Sequence, residues 1–202
     1  MAVAPDLTAA ILAGGKSTRM GQHKALLRHG YGPDQPSFIE NLIDGLAGVA
    51  SRVLIVGEPQ PGLYAGLGAP LVRDSLQNAG PLSGILAALE SATSEFVLIC
   101  PCDTPYVPVD LAAGLLGQLK MRKNDLVFCQ ENGRDHPLFA VLRIHLADSL
   151  RHFLDGGGRK VLDWMEAQNH SRYDVSSNDF ICRNINTLDD YHQWLKRKEN
   201  AS

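Results

Sequence analysis

The chain has 202 residues, 45% hydrophobic and 20% charged, with a formal net charge of −3. That is ordinary for a globular protein able to bury a full core, and nothing in it argues for bulk nucleic-acid affinity, which needs clustered positive charge. Four cysteines are too few for a disulfide scaffold, and no window is apolar for the length of a membrane span, so a cytoplasmic protein without nucleic-acid or membrane partners is expected.

Apolar runs alternate with amphipathic ones along the chain. A first strand is expected at residues 8–12, ended by Gly14-Gly15. A helix over 37–50 places Phe38, Leu42, Ile43, Leu46 and Val49 on one face. Strands follow at 52–57 and 70–73, separated by a Gly/Pro-rich loop. Leu82, Ile85, Leu86 and Leu89 make the stripe of a helix over 81–92. The strongest buried strand is expected at 95–100, stopped by Pro101. A helix over 109–120, strands at 125–129 and 138–142, and helices near 144–154 and 160–168 come next. A strand near 180–185 and a helix over 188–198 close the chain. Cys100, Cys129 and Cys182 lie in apolar runs and read as small core residues.

Strands this apolar, alternating with helices, imply a mostly parallel sheet covered on both faces, a three-layer α/β/α domain. Ligands of such sheets bind beyond the carboxyl ends of the strands. The loops after strands therefore carry the functional reading.

The loop after the first strand reads Leu12-Ala-Gly-Gly-Lys-Ser-Thr-Arg-Met-Gly-Gln-His-Lys-Ala-Leu-Leu27. Gly14, Gly15 and Gly21 let backbone N–H groups approach an anion. Lys16, Arg19 and Lys24 add three positive charges, Arg as a planar fork and Lys as a mobile point charge. The pattern is neither G-x-x-x-x-G-K-[ST] nor G-x-G-x-x-G. A glycine turn with solvated lysines is the bland alternative, but three cations behind a buried strand favour a triphosphate cradle.

Asp103, in Cys100-Pro-Cys-Asp-Thr-Pro, ends the strongest strand and is the only acid between Glu95 and Asp110. A hard carboxylate there suits Mg²⁺, which takes one or two carboxylates plus phosphate oxygens; capping of the next turn is the competing role. Asp74, at the end of the third strand, is read as a nucleotide or metal contact or a turn residue. Gly80-Pro81 opens a helix whose N-terminus could face the base or ribose.

These segments resemble the sugar-nucleotide and cofactor nucleotidyltransferases through Leu12-Ala-Gly-Gly, Arg19-Met-Gly and Lys24-Ala-Leu-Leu. The set Cys100-Pro-Cys-Asp-Thr-Pro, Asp135-His-Pro, Gly158-Arg-Lys and Asn184-Ile-Asn-Thr187 is similar to one branch, the molybdenum cofactor guanylyltransferases, across residues 8–195. The resemblance implies a Rossmann-like nucleotidyltransferase fold, with residues 8–107 binding nucleotide and 108–195 binding the acceptor. It implies GTP and molybdopterin as substrates, Mg²⁺ with Mn²⁺ as a substitute, and transient contact with cofactor-synthesis proteins or acceptor molybdoenzymes.

Carried over by motif, Leu12, Ala13, Gly14, Gly15, Lys24, Asp74, Gly80 and Asp103 contact the nucleotide, and Asp103 holds the metal. Arg19, Lys24 and Asp103 form the catalytic set. Asp135, His136, Arg159, Lys160, Asn184 and Asn186 form the acceptor site. Two departures stand out: His23 occupies the place of an acid found in relatives, and Val56-Gly57 stands where some relatives present an Asn. The nearest alternatives are a cytidylyltransferase acting on molybdopterin, which would tend to carry Ala-Ala-Gly in place of Ala13-Gly14-Gly15, and another small-molecule phosphate nucleotidyltransferase.

Overall fold

A computed structural model describes residues 4–14, 24–30, 34–57, 64–74, 76, 80–105, 107–175, 184–185 and 187–200. The strands are β1 (Ala4–Leu12), β2 (Ala50–Val56), β3 (Leu71–Val72), β4 (Phe96–Pro101), β5 (Leu126–Glu131), β6 (Arg134–Arg143) and β7 (His170–Asp174). The helices are α1 (Phe38–Ala47), α2 (Pro81–Ser91), α3 (Val109–Arg122), α4 (Leu146–Asp155), α5 (Val161–Glu166) and α6 (Leu188–Asn200). Among the described residues no helix is long and apolar enough to cross a membrane.

The strands form one sheet in the order β3-β2-β1-β4-β6-β5-β7. β6 runs antiparallel to β4 and β5; every other neighbouring pair is parallel. Side chains alternate between the two faces of a strand, and the core divides accordingly. Leu7, Ala9 and Ile11 of β1 and Phe96, Leu98 and Cys100 of β4 pack with Ile39, Leu42 and Leu46 of α1 and Leu111, Leu115 and Leu119 of α3. Ala10, Leu12, Val97 and Ile99 face the other way, onto α2, α4 and Trp164 and Met165 of α5. This is the expected three-layer α/β/α arrangement. Each of these large aliphatic side chains contributes roughly 1.5–3 kcal/mol by leaving water. Thr8, the polar residue in this run, is buried and shares a 2.6 Å hydrogen bond between its Oγ1 and Ser94 Oγ.

Local signals set the element ends. Ser37 and Glu40 close a capping box at the start of α1: Ser37 N donates to Glu40 Oε2 (2.7 Å) and Glu40 N to Ser37 Oγ (3.4 Å). β5 turns into β6 through Asn132 (φ 50°) and Gly133 (φ 78°), both in the left-handed region required by a two-residue type I′ hairpin. Three more residues of β6 than of β5 lie between the pairs Phe128↔Ala140 and Cys129↔His136. Pro137, which cannot donate to a ladder, sits in this irregularity.

The sheet differs from the sequence expectation at two places. β6 begins at Arg134, so Asp135, His136 and Pro137 belong to a strand and not to the connection before one. The strand that completes the described sheet, His170–Asp174, is one the sequence reading did not expect; of the strand expected near 180–185, residues 180–183 lie outside the described residues, and Asn184-Ile185 is not strand. β7 is an edge strand whose residues are half-buried or exposed, so it lacks the apolar run that marks a central strand.

The last helix is tied back to the first. Leu27, Phe38 and Ile185 form a small core with Tyr191 and Trp194 of α6. His29 meets Phe38 and Trp194 edge-on, each with centroids 5.1 Å apart. Tyr191 Oη donates to Arg28 O (2.8 Å).

Candidate active site

The chain winds from β1 through α1 to β2 and β3, then returns through α2 to β4 on the other side of β1. The neighbours β1 and β4 thus bracket the topological switch point, where the crevice of an open α/β sheet forms. Ala13 and Gly14 emerge there from β1, and Cys102 and Asp103 from β4. The two exits are locked together: Cys102 N donates to Leu12 O (3.1 Å) and Ala13 N to Val56 O (2.7 Å). Gly57, after β2, comes so close that a Cβ on it would lie 2.8 Å from Gly14 N and 3.0 Å from Ala13 C. The side chain that an Asn would present at this crossing has no room here.

Asp74 reaches into the same corner. A Cβ built on Gly14 would lie 3.1 Å from its Oδ2, and one on Gly84, in the first turn of α2, 3.3 Å from its Oδ1. Two missing side chains therefore leave the space that this half-buried carboxylate occupies beside the first loop. Gly80 caps α2 with φ 64°, followed by Pro81 at the first helical position. Ser83, buried in that turn, donates through Oγ to Leu76 O (2.6 Å) and accepts from Leu76 N (2.7 Å), tying the preceding loop to the helix.

The Asp103 loop is held from three directions. Asp103 O accepts from Ile185 N (2.8 Å). Thr104 Oγ1 donates to Asn184 Oδ1 (3.4 Å). Pro105 O accepts from Asn41 Nδ2 (3.1 Å) and from His29 Nε2 (2.7 Å), which must carry its proton because a carbonyl only accepts. The side chain of Asp103 is half-buried, with Oδ1 shut away from solvent. Beside the loop, burial pushes the Tyr64 hydroxyl up to about 12, with Cys102 adding to the shift, so Tyr64 stays protonated at neutral pH. Burial also raises the Cys100 thiol, which is inert core as expected; Cys129 is buried in β5, and Cys182 lies outside the described residues.

Among the described residues no three His, Cys, Asp or Glu side chains converge as a cage. The carboxylates at this edge are Asp103, just past β4, and Asp74, beside Gly14. That set fits Mg²⁺, which keeps several waters or phosphate oxygens, better than a metal needing a closed protein shell.

The acceptor candidates lie further along the same carboxyl edge. Asp135 and His136 open β6, which starts at this edge because it runs against its neighbours. Asp135 is engaged: it accepts from Gln130 Nε2 (2.8 Å) and from Arg172 Nε and Nη2, both at 2.9 Å. This holds its carboxyl below the usual range, the Arg172 hydrogen bonds being the main cause. His136 Nε2 is buried and has no hydrogen-bond partner among the described residues; it lies 3.8 Å from Glu131 Oε2. Burial lowers its pKa, against the opposing pull of Glu131.

α4 starts at the amino edge, where Ile144 N donates to Glu95 O (3.1 Å), and runs back along α2 with Arg151 paired to Glu90. The turn carrying Arg159 and Lys160 thus follows toward the carboxyl edge. Arg159 Nη1 donates to Leu154 O (2.9 Å) and Gly158 O (2.6 Å), closing the end of α4, and Lys160 is exposed at the start of α5. Asn184 stands beside Thr104, joining the C-terminal motif to the Asp103 loop. Gly15, Arg19, His23 and Asn186 lie outside the described residues, and Lys24 is described only in its backbone, in a short 3-10 turn at Lys24–Leu26.

A family model described as the MobA-like NTP transferase domain matches residues 9–171. The chain belongs to the MobA-like NTP transferase family. A protein of Haemophilus influenzae named molybdenum cofactor guanylyltransferase is 36% identical over 91% of this chain and 95% of its own length. One of the same name from Ralstonia pickettii is 35% identical over 96% and 98%. In fold, the chain is similar to the crystal structure of a molybdopterin-guanine dinucleotide biosynthesis protein A from Archaeoglobus fulgidus, with TM-score 0.80 and 22% identity, covering 96% of this chain and 99% of that one. It is also similar to a 2-C-methyl-D-erythritol 4-phosphate cytidylyltransferase from Thermus thermophilus, with TM-score 0.68 and 16% identity, covering 98% and 100%.

Within this family framework, two residues of the site escape a reading of motifs. Arg172 forks onto Asp135 from 37 positions away, and His29 reaches Pro105 across 76. Neither sits in a local pattern. The available signal was weak: an arginine in the polar run His170-Ser-Arg-Tyr-Asp174 and a histidine behind the Lys24 turn.

Proposed function

We propose that the protein transfers GMP from GTP to the terminal phosphate of molybdopterin, releasing pyrophosphate and forming the guanine dinucleotide of the cofactor. The observation that supports this reading is that the Ala13-Gly14 exit, with Asp74 beside it, and the Asp103 loop, with Asn184 of the C-terminal motif on it, lie at the carboxyl ends of the neighbouring strands β1 and β4. Family relatives named molybdenum cofactor guanylyltransferase support the choice of substrates.

In this reading the phosphate oxygen of the acceptor bonds to the α-phosphorus of GTP as the α–β bridging bond breaks, and the electron pair leaves with pyrophosphate. The nucleophile is already ionised, so positioning and charge neutralisation are the main requirements and no dedicated base is needed. Backbone groups at Leu12, Ala13, Gly14 and Gly15 approach the nucleotide, with Gly80 and Asp74 beside it. Arg19 and Lys24 offset phosphate charge. Mg²⁺, or Mn²⁺ in its place, would be held by Asp103 and would supply Lewis-acid stabilisation of charge on the phosphate oxygens. Asp135, His136, Arg159, Lys160, Asn184 and Asn186 form the proposed acceptor side. Residues 8–107 thereby serve the nucleotide and 108–195 the acceptor. The proposed compartment is the cytoplasm, and the proposed transient partners are cofactor-synthesis proteins or acceptor molybdoenzymes.

A cytidylyl-transferring alternative is favoured by one observation, the similarity of fold to a cytidylyltransferase. Isothermal titration with GTP, CTP, ATP and UTP in Mg²⁺ separates the two. GTP is expected to bind most tightly; equal or tighter binding of CTP would move the protein to the cytidylyl branch.

A further inference from the structure

Arg172 lies on the edge strand β7, yet nearly all its polar atoms point away from that strand. Nε donates to Asp135 Oδ1 (2.9 Å) and Oδ2 (3.2 Å), and Nη2 donates to Asp135 Oδ2 (2.9 Å). Nη2 also pairs with Glu166 at the end of α5. Nη1 lies 3.3 Å from His170 Nε2. The guanidinium carbon sits 5.1 Å from the centroid of the buried Phe128 ring. One planar cation therefore joins the start of β6, the end of α5 and the face of β5. Only arginine has the fork for this, because a lysine ammonium cannot contact both carboxylate oxygens in one plane.

These links are not needed to hold β7 in the sheet. β7 pairs with β5 in unbroken register from Leu126↔His170 to Gln130↔Asp174. Gln118 Nε2 further donates to Ser171 Oγ and Arg172 O, both at 2.9 Å, and Ser171 Oγ donates to Asn124 Oδ1 (2.8 Å). What the guanidinium adds is a hold on Asp135, next to His136, and on the helix that follows Arg159 and Lys160. The Asp135 carboxylate, 17% exposed, is used up by this hold and by Gln130, so it braces the hairpin while the neighbouring His136 Nε2 keeps its hydrogen-bonding capacity.

We propose that Arg172 is a positioning residue for acceptor binding, setting the placement of His136 and of the Arg159-Lys160 turn through Asp135 and Glu166. The inference rests on the acceptor site proposed above. In this proposal Arg172 contacts neither substrate itself and acts through the placement of His136 and the Arg159-Lys160 turn.

The test is steady-state kinetics of guanylyl transfer with molybdopterin and GTP varied separately, alongside thermal melts, for the full chain and its R172A, R172K, H136A and R159A variants. In R172A the KM for molybdopterin is expected to rise roughly tenfold to a hundredfold, the upper end being what a misplacement of about 1 Å can cost. GTP affinity and Tm are expected to stay near those of the parent. R172K keeps charge and stem but loses the fork, so it is expected to resemble R172A. Should R172A fail to fold, R172K carries the same test. Equal losses in both KM values together with a lowered Tm would make Arg172 a structural tie only, and an unchanged acceptor KM would overturn the proposal outright. If H136A and R159A also leave the acceptor KM unchanged, the acceptor site itself is misassigned. If they raise it while R172A does not, the role of Arg172 alone falls.

Discussion

Asp103 is the residue on which the metal assignment turns. Its main chain is gripped by Ile185, its neighbours by Asn184, Asn41 and His29, and its Oδ1 is enclosed, so the carboxylate is presented on a stiff support. Asp103→Asn keeps shape and one acceptor oxygen while removing charge. Loss of a metal-holding carboxylate is expected to remove several kcal/mol of transition-state stabilisation, a rate loss of roughly 10²-fold or more. Transfer rates at saturating Mg²⁺, with circular dichroism as the folding control, measure this; a folded variant with most of its activity would hand the metal role to Asp74. At this scale the proposed chemistry is legible in the sequence where it is carried by short segments. The glycines and cations of residues 12–27 and the acid closing β4 lie within short segments, and their chemistry is readable there. Asp135 was readable as part of a motif, but its bond to Arg172 was not, because the partner comes from another strand.

The β5–β6 hairpin carries two groups, Asp135 and His136, whose titration the fold shifts downward. Burial lowers the His136 pKa below its ordinary value of 6.5, with Glu131 opposing. The unfolded chain therefore binds the proton first as pH falls, so the stability contributed by neutral His136 is complete above about pH 6.5 and is lost below it. Asp135 acts in a separate, lower window: its contribution is present above its ordinary 3.8 and is lost as pH drops through its lowered folded value. Urea midpoints measured at pH 7.5 and 5.5 are expected to fall with acid in the parent and to fall less in His136→Asn. An identical acid loss in both would show that His136 is not the group responsible. Elements with apolar faces were legible in sequence, including the six buried residues of β4 and the stripes of α1 and α2. β7 was not, because an edge strand built from His170, Ser171, Arg172, Tyr173 and Asp174 is secured by its ladder to β5 and the hydrogen bonds of Gln118 and Ser171 more than by an apolar run. The early start of β6 was hidden by Pro137, whose place in a strand is allowed by the irregular register beside it.

Across the whole molecule, the order β3-β2-β1-β4-β6-β5-β7 puts the two halves of the reading on one edge of the sheet. The parallel half delivers the Ala13-Gly14 exit, Asp74 and Asp103; the reversed strand β6 delivers Asp135 and His136 back to the same edge. The alternation of apolar runs and helical stripes was enough to read the layers, but strand order depends on contacts between distant segments and is not written in periodicity. The most direct test of the central claim is turnover with molybdopterin and each of the four nucleoside triphosphates in Mg²⁺, with the product identified by mass. Pyrophosphate release and a guanine dinucleotide product are expected from GTP, well above any product from CTP, ATP or UTP. A cytosine dinucleotide formed as fast or faster, or GTP turnover that does not depend on molybdopterin, would contradict it.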